Sequence, residues 1–496
     1  MQRLIRYQTL LIVVILHILH LELFYDLTFY SKQCPYLPEM MAQQVQKTSD
    51  KLHHLSLDAM NRDGYQTISI YLCTWNVGAE GPPKDLTGLL DLKSKDLPHI
   101  YGIGFQELDP TDKDTQDNMW TSRLTDELAK LDYVRVKVVR MQAISLQLFV
   151  KRSLLLNVTS IESEYSKAGM GGWWGNKGGV SIRFDVGGVN LIIVNTHLAA
   201  HLEEMAERIE DFNVVLKTQR FRDPDVENIL DHDYVFWMGD LNCRLENITK
   251  QEAENYIKDN NLDKLVALDQ LKRAQKEGLM LVGFEEGPLN FKPTYKFNKN
   301  SDLYDTSEKQ RIPAWCDRIL YKAHTDIDGL KLKQRKYFSP VYSKGDHKPV
   351  AAKFDVNLLH YKSHPLYKES DHKPMTGAYT VKVFDLEAYP FVNFDPIKKW
   401  RYGETESFHY TIRCGIEPDS SPWDYIGLYQ ENFKHFDDYK TWVYGKNNAE
   451  DEGAKGVTLE FKGKYLKVPP GRYVLCYISK HKGWLRGMSN VFEIVG

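Results

Sequence analysis

The run Tyr234-Val235-Phe236-Trp237-Met238-Gly239-Asp240-Leu241-Asn242 constrains the architecture more than any other stretch of the chain. An unbroken apolar run of this length describes a strand covered on both faces, and such a strand meets ligand or water only where it ends. Asp240 and Asn242 stand at that end. Three further runs stop in the same way: 68–75 at Asn76, 101–105 at Gln106 and Glu107, and 191–194 at Asn195, Thr196 and His197. Amides, carboxylates and a histidine at the ends of buried strands predict one metal-assisted site built across the edge of a sandwich.

Length divides the chain. At 496 residues it exceeds what one hydrophobic core holds, so at least two domains are expected. Residues 1–64 form a lead-in. Within it Arg3 and Arg6 precede the apolar segment 9–24, which His17, His20 and Glu22 interrupt. That segment reads either as a signal or short anchor, or as an amphipathic lead-in or upstream extension of the gene. Strands dominate 65–356, with helical spacing of apolar residues over 118–131, 202–221 and 250–277, the pattern of a layered α/β sandwich. Residues 357–378 read as a connector. In 379–496, short alternating segments between Pro, Gly, Asp and Asn predict a small all-β sandwich. A net charge of −3 creates no global field towards nucleic acid or membrane. Six dispersed cysteines show no metal-ligand spacing and suit a reducing, cytoplasmic setting.

Asn76, Glu107, Asp240 and Asn242 together offer hard oxygens and amide donors, a set suited to Mg²⁺ and phosphate oxygens rather than zinc. Seven motifs then occur in order: Thr74-Trp75-Asn76-Val77, Phe105-Gln106-Glu107-Leu108, Gly171-Gly172-Trp173-Trp174-Gly175-Asn176-Lys177-Gly178-Gly179, Asn195-Thr196-His197-Leu198-Ala199-Ala200-His201, Trp237-Met238-Gly239-Asp240-Leu241-Asn242-Cys243-Arg244, Phe291-Lys292-Pro293-Thr294-Tyr295-Lys296, and Arg311-Ile312-Pro313-Ala314-Trp315-Cys316-Asp317-Arg318-Ile319-Leu320. This order resembles the inositol polyphosphate 5-phosphatases over 67–355. The resemblance implies a four-layered α/β/β/α sandwich shared with Mg²⁺-dependent endonucleases. It implies that Glu107 holds Mg²⁺, with Asn76 and Asp346 as further candidate ligands. Asp240 would orient or deprotonate the attacking water, Asn242 and His197 would contact the phosphate, and Asp317 would buttress a D-H-K-P histidine. By the same resemblance Tyr295, Lys296, Lys309 and Arg311 grip a 4-phosphate, while Asn176 and Lys177 line the cleft. Metal and donors aimed at in-line attack lower the barrier without a covalent phospho-enzyme.

The D-H-K-P run occurs twice, with Asp346-His347 and with Asp371-His372. The shorter connection favours His347, whereas Ser370 before Asp371 keeps the family's usual residue, where the first copy has Gly345. A duplicated exon whose copies normally alternate would account for both.

Ser421-Pro422-Trp423-Asp424-Tyr425-Ile426-Gly427-Leu428-Tyr429, with 439–443 and 470–477, resembles the SKICH domain of the skeletal-muscle-and-kidney-enriched and proline-rich 5-phosphatases. The absence of a long proline-rich flank fits the former. The resemblance implies an immunoglobulin-like sandwich that recruits a protein or membrane. Trp423 and Trp442 are candidate anchors, although core packing is the more ordinary role of a tryptophan.

The expected function is Mg²⁺-dependent hydrolysis of the 5-phosphate of phosphatidylinositol 4,5-bisphosphate and 3,4,5-trisphosphate, at headgroups on the plasma membrane or endomembranes. The alternatives are a soluble inositol polyphosphate 5-phosphatase, a nuclease of the same superfamily, and a catalytically silent SKICH adaptor. The lysines and arginine after Phe291 argue against nucleic acid as partner.

Overall fold

The computed structural model describes residues 66–109, 111, 118–169, 176–323, 334–338, 350–354, 375–383, 391–412, 423–445, 456–479 and 484–496. Outside them lie segment 9–24, residues 170–175, and both D-H-K-P runs with Asp346, His347 and His372.

The first domain is built from β1 (Gln66–Asn76), β2 (Ile100–Gln106), β3 (Tyr133–Met141), β4 (Ile144–Lys151), β5 (Val158–Ala168), β6 (Lys177–Val186) and β7 (Val189–His197). It continues with β8 (Tyr234–Asp240), β9 (Glu285–Glu286), β10 (Asp317–Ala323), β11 (Gln334–Phe338), β12 (Val350–Phe354) and β13 (Met375–Val383). One sheet runs β11-β12-β13-β1-β2-β4-β3 and the other β5-β6-β7-β8-β10-β9. Residues 375–383, divided above between connector and terminal domain, are a strand of the first sheet, paired with β1 from Gln66↔Val383 to Thr74↔Met375.

Strand alternation builds the layers. Ile68, Ile70 and Leu72 of β1 pack between the sheets with Tyr234, Phe236 and Met238 of β8. On the outer face Tyr71, Cys73 and Trp75 meet Trp120, Leu124 and Leu128 of α1 (Met119–Ala129). Val235 and Trp237 face outward on the second sheet, against Phe212 and Val215 of α2 (Met205–Thr218). The strands are therefore apolar on both faces because both faces are covered. Each such side chain removed from water contributes about 1.5–3 kcal/mol.

The helical segment expected at 250–277 is divided into α3 (Lys250–Lys258), α4 (Leu262–Val266) and α5 (Gln270–Lys276). Asp259-Asn260-Asn261 interrupts it, Asn260 taking a positive φ of 53°, and the Asp269 side chain caps α5 by accepting from Lys272 N.

The second domain comprises β14 (Val392–Phe394), β15 (Lys399–Arg401), β16 (Glu406–Ile412), β17 (Tyr425–Gln430) and β18 (Thr441–Tyr444). It ends with β19 (Val457–Phe461), β20 (Gly471–Ser479), β21 (Trp484–Met488) and β22 (Phe492–Val495). Sheets β14-β16-β19 and β15-β22-β20-β17-β18, with β21 on β20, close over Trp400, Phe408, Tyr410, Leu428 and Leu475. This all-β unit docks on β3, the edge of the first sheet. Arg135 N donates to Lys434 O at 2.9 Å, Arg152 donates to Phe433 O at 2.7 Å, and Lys434 pairs with Asp126 at 2.7 Å.

Trp423 and Trp442 are not core residues: 63% and 40% of their surface is exposed. Strand β18 is the last of its sheet, so Trp442 and Tyr444 project from a border that no described strand covers.

Candidate active site

Pairing alone gathers the strand ends. In the second sheet His197 lies opposite Asp240, and Asp240 opposite Asp317. In the first, Asn76 lies opposite Gln106, with Glu107 next in the chain. Close approach of β7 and β8 requires Gly239, whose φ is 138° and whose absent Cβ would sit 2.0 Å from Thr196 O. Beneath the site the sheets are bolted together. Gln106 donates to Asn195 Oδ1 at 2.6 Å and to Thr74 Oγ1 at 2.9 Å, and Asn195 Nδ2 donates to Ser145 O at 2.9 Å.

Asn76 Nδ2 donates to Glu107 Oε1 and to Asp240 Oδ2, both at 3.0 Å. Its oxygen accepts from Gly78 N at 3.1 Å. Asn76 thus holds two carboxylates in place and turns its oxygen towards backbone. The other oxygen of Asp240 accepts from Asn242 N at 3.0 Å. Burial pushes the Asp240 carboxyl up to about 6, against the pull of the Lys177 and Arg244 cations.

His197 Nε2 lies 3.4 Å from Asp240 and 3.8 Å from Glu107, and it accepts from Lys177 Nζ. With Lys177 as an ammonium, which can only donate, Nε2 is the acceptor and Nδ1 carries the hydrogen. Burial, with Lys177 and Arg244 nearby, holds this imidazole well below its usual range and therefore neutral. Its Nδ1 is buried without a hydrogen-bond partner, a donor that awaits an acceptor. Burial also lowers Lys177, opposed by Asp240 and Glu107. Glu107 and Asn242 both adopt φ of 53°, strain of about 1–3 kcal/mol each that the surrounding bonds sustain.

The donor set fits a divalent hard cation: two carboxylates share one amide, and no thiolate is present. Among the described residues no group of three His, Cys, Asp or Glu forms a metal cage. An ion here would keep several waters, as Mg²⁺ prefers.

Asn242 Nδ2 donates to Leu198 O at 3.0 Å, and its oxygen accepts from Arg244. Arg244 lies 4.0 Å over the ring of Tyr295, which is itself buried. Arg244, Lys309 and Arg311 line one cavity of about 160 Å³ with Leu202 and Ile312. Arg311 also reaches His201 Nδ1 at 3.3 Å. Lys296 is half-buried beside Tyr295, and Asn176 is exposed at the start of β6. Asp317 is buried and accepts from Thr294 Oγ1 at 2.8 Å.

Three residues of this arrangement were not among the sequence candidates. Arg244 follows Asn242 by two positions in the same motif, a signal that was available. Arg208 and Asp211 were hidden inside an ordinary amphipathic helix. Asp211 accepts from Ala199 N at 2.8 Å and from Gly169 N at 2.9 Å; Arg208 donates to Ala199 O, His201 O and Leu202 O. Together they tie the segment after His197 to the segment that leads into the glycine-rich motif.

Comparison with known proteins bears on the family and the fold. Residues 73–378 match the model of Endonuclease/Exonuclease/phosphatase family 2, and residues 392–494 match the SKICH domain. Inositol polyphosphate 5-phosphatase K of Mus musculus is 35% identical over 86% of this chain and 90% of its own length. Phosphatidylinositol 4,5-bisphosphate 5-phosphatase A of Mus musculus is 35% identical over 86% of this chain, which spans only 41% of that relative. Among solved structures, a synaptojanin 5-phosphatase domain in complex with inositol (1,4)-bisphosphate and calcium is similar at 30% identity. It has a TM-score of 0.52 and covers 64% of this chain and 85% of its own. A Cimex nitrophorin ferrous NO complex is similar at 25% identity and a TM-score of 0.50, over 64% of this chain and 99% of its own. A shared backbone therefore does not by itself assign a reaction.

Proposed function

The chain belongs to Endonuclease/Exonuclease/phosphatase family 2, among the inositol polyphosphate 5-phosphatases that carry a SKICH domain, and from that premise we propose that it hydrolyses the 5-phosphate of phosphoinositides. Phosphatidylinositol 4,5-bisphosphate is the first substrate we propose and the 3,4,5-trisphosphate the second, with Mg²⁺ as cofactor. The observation that carries this reading is the convergence of Asn76, Glu107, His197 and Asp240 within hydrogen-bonding range, beside a cavity lined by Arg244, Lys309 and Arg311.

Glu107, with Asp240 beside it, would hold the ion, which when bound withdraws electron density from the phosphoryl group. Asp240, fixed by Asn76 and Asn242 N, orients the attacking water and takes its proton. His197 Nδ1–H donates to a phosphoryl oxygen, and Lys177 fixes the tautomer that makes this possible. Asn242 is aimed by Leu198 O and Arg244, so its amide meets the phosphate without first reorganising. Lys296, Lys309 and Arg311 recognise the neighbouring 4-phosphate, where a partly desolvated dianion discriminates strongly. Asp317 buttresses whichever D-H-K-P histidine reaches the site.

Among the described residues no helix is long and apolar enough to cross a membrane. We place the substrate at a membrane surface that the SKICH domain helps the enzyme reach through a protein or lipid partner. The test is phosphate release from vesicles carrying each lipid and from soluble inositol phosphates, with Mg²⁺ and with chelator. Release from a 5-phosphorylated lipid, lost on chelation, is expected. Turnover of soluble substrates alone would replace the lipid reading, and no turnover of any substrate would reject both.

A further inference from the structure

Strand β1 has one flank occupied by β2, with Ile70↔Ile100 and Trp75↔Phe105. Its other flank is registered against two strands at once. Thr74 faces Val350 and Met375, Cys73 faces Ala351 and Thr376, Leu72 faces Ala352 and Gly377, and Tyr71 faces Lys353 and Ala378. The same doubling recurs on β11, where Tyr337 faces Ala352 and Gly377. Strands β12 and β13 are in turn in parallel register with each other, Val350 against Met375. Each doubled pair is separated by the same interval, 25 positions from Val350 to Met375. That is also the interval between Asp346-His347 and Asp371-His372.

A residue carries one N–H and one C=O, and neighbouring strands stand about 4.8 Å apart, so one flank holds one neighbour. We propose that β12 and β13 are interchangeable occupants of a single slot beside β1. The slot lies at the site. Its first position faces Thr74, two residues before Asn76, and each D-H-K-P run directly precedes its strand in the sequence. The functional consequence, a choice between His347 and His372, rests on the phosphatase reading. The structural part does not.

The interval defines the experiment. Deleting 342–366 joins Val341 to Tyr367 and leaves only the second run; deleting 355–379 joins Phe354 to Thr380 and leaves only the first. Both deletions preserve the register against β1. If the slot is single, each variant melts within about 2 °C of the full chain or above it, because nothing required has been removed. A loss of about 5 °C or more in either variant would show that both strands are needed together, and would overturn the proposal. A variant lacking 342–379 leaves β1 from Ile70 to Thr74 without a neighbour on that flank and is expected to lose its cooperative transition. Phosphate release from the two single-copy variants should agree within about tenfold, and silence in one folded variant beside activity in the other would overturn interchangeability. Melting needs no turnover, so the two readings fail separately. Absent turnover in every form with unchanged melting rejects the phosphatase and leaves the slot.

Discussion

Strand ends in the first domain and the outer strand of the second break the ordinary distribution of polar and apolar groups in opposite directions. Asn76 and Asp240 are fully buried and His197 is 3% exposed, whereas Trp423, Trp442 and Tyr444 present 63%, 40% and 51% of their surface. Burying polar groups costs several kcal/mol unless their bonds are satisfied, and here Gln106, Asn195 and Asn76 supply the bonds. His197 Nδ1 is among the buried side-chain atoms left without a hydrogen-bond partner, and it lies in the site. Exposing aromatics costs apolar contact instead, with ring-to-ring packing, such as Trp442 on Tyr444 at 4.8 Å, recovering part of it. Dry polar groups suit chemistry, and wet aromatic groups suit contact.

The widest separation between the regions is expected from Asp240→Asn. It removes the proton acceptor and keeps only one of the two accepted bonds, because its NH₂ must face either Asn76 Nδ2 or Asn242 N, so kcat should fall by about 10³-fold or more. Turnover near wild type would remove Asp240 from the mechanism. A second test sharpens the division within the site. Lys309→Ala and Arg311→Ala should each lower kcat/KM by about 10–100-fold on substrates bearing a 4-phosphate, with little change on those lacking one. Equal loss on both would move the two cations from recognition to general electrostatics.

The buried strands, and the ends where their polar residues gather, were legible because period-2 patterning and abrupt polar termination are local signals. The register that sets His197 beside Asp240 and Asn76 beside Gln106 was not, since pairing joins residues far apart in sequence. Arg208 and Asp211 escaped for a related reason: on α2 they read as solvated charges, and only the path of the loop after His197 buries them. The exposure of Trp423 and Trp442 departs from the core role ordinary for tryptophan: Trp442 lies on the outermost strand of its sheet, a property of topology, and Trp423 in the turn before β17.

Asp211→Asn probes that hidden layer. Asn keeps one carbonyl oxygen but turns an NH₂ towards one of the two backbone donors, so the segment after His197 or the one at Gly169 is released. About tenfold loss of kcat/KM is expected. Burial pushes the Asp211 carboxyl up to about 6, although Ala199 N and Gly169 N pull it down. Its native value therefore lies above the unfolded one, near 4, so the ionised form costs stability and the wild type gains stability as pH falls from 6 towards 4. The asparagine does not titrate. Relative to wild type it should melt lower at pH 5 than at pH 7, by about 2–4 °C beyond any offset common to both. A difference that does not change with pH would mean that the carboxyl does not titrate in this range.

The smallest effect on chemistry is expected at the aromatic border. Trp442→Ala removes a half-exposed ring from the outer strand, so stability should change by about 1 kcal/mol or less and turnover of a soluble substrate by less than about twofold. Turnover on vesicles, or capture by a partner, is where the loss should appear if wet aromatic surface serves contact. Equal turnover by variant and wild type on every presentation of substrate would leave these rings with no role beyond packing on one another. A drop on soluble substrate as large as the one on vesicles would instead couple the second domain to the site through the Arg135–Lys434 and Arg152–Phe433 bonds, and the two regions would no longer be separable.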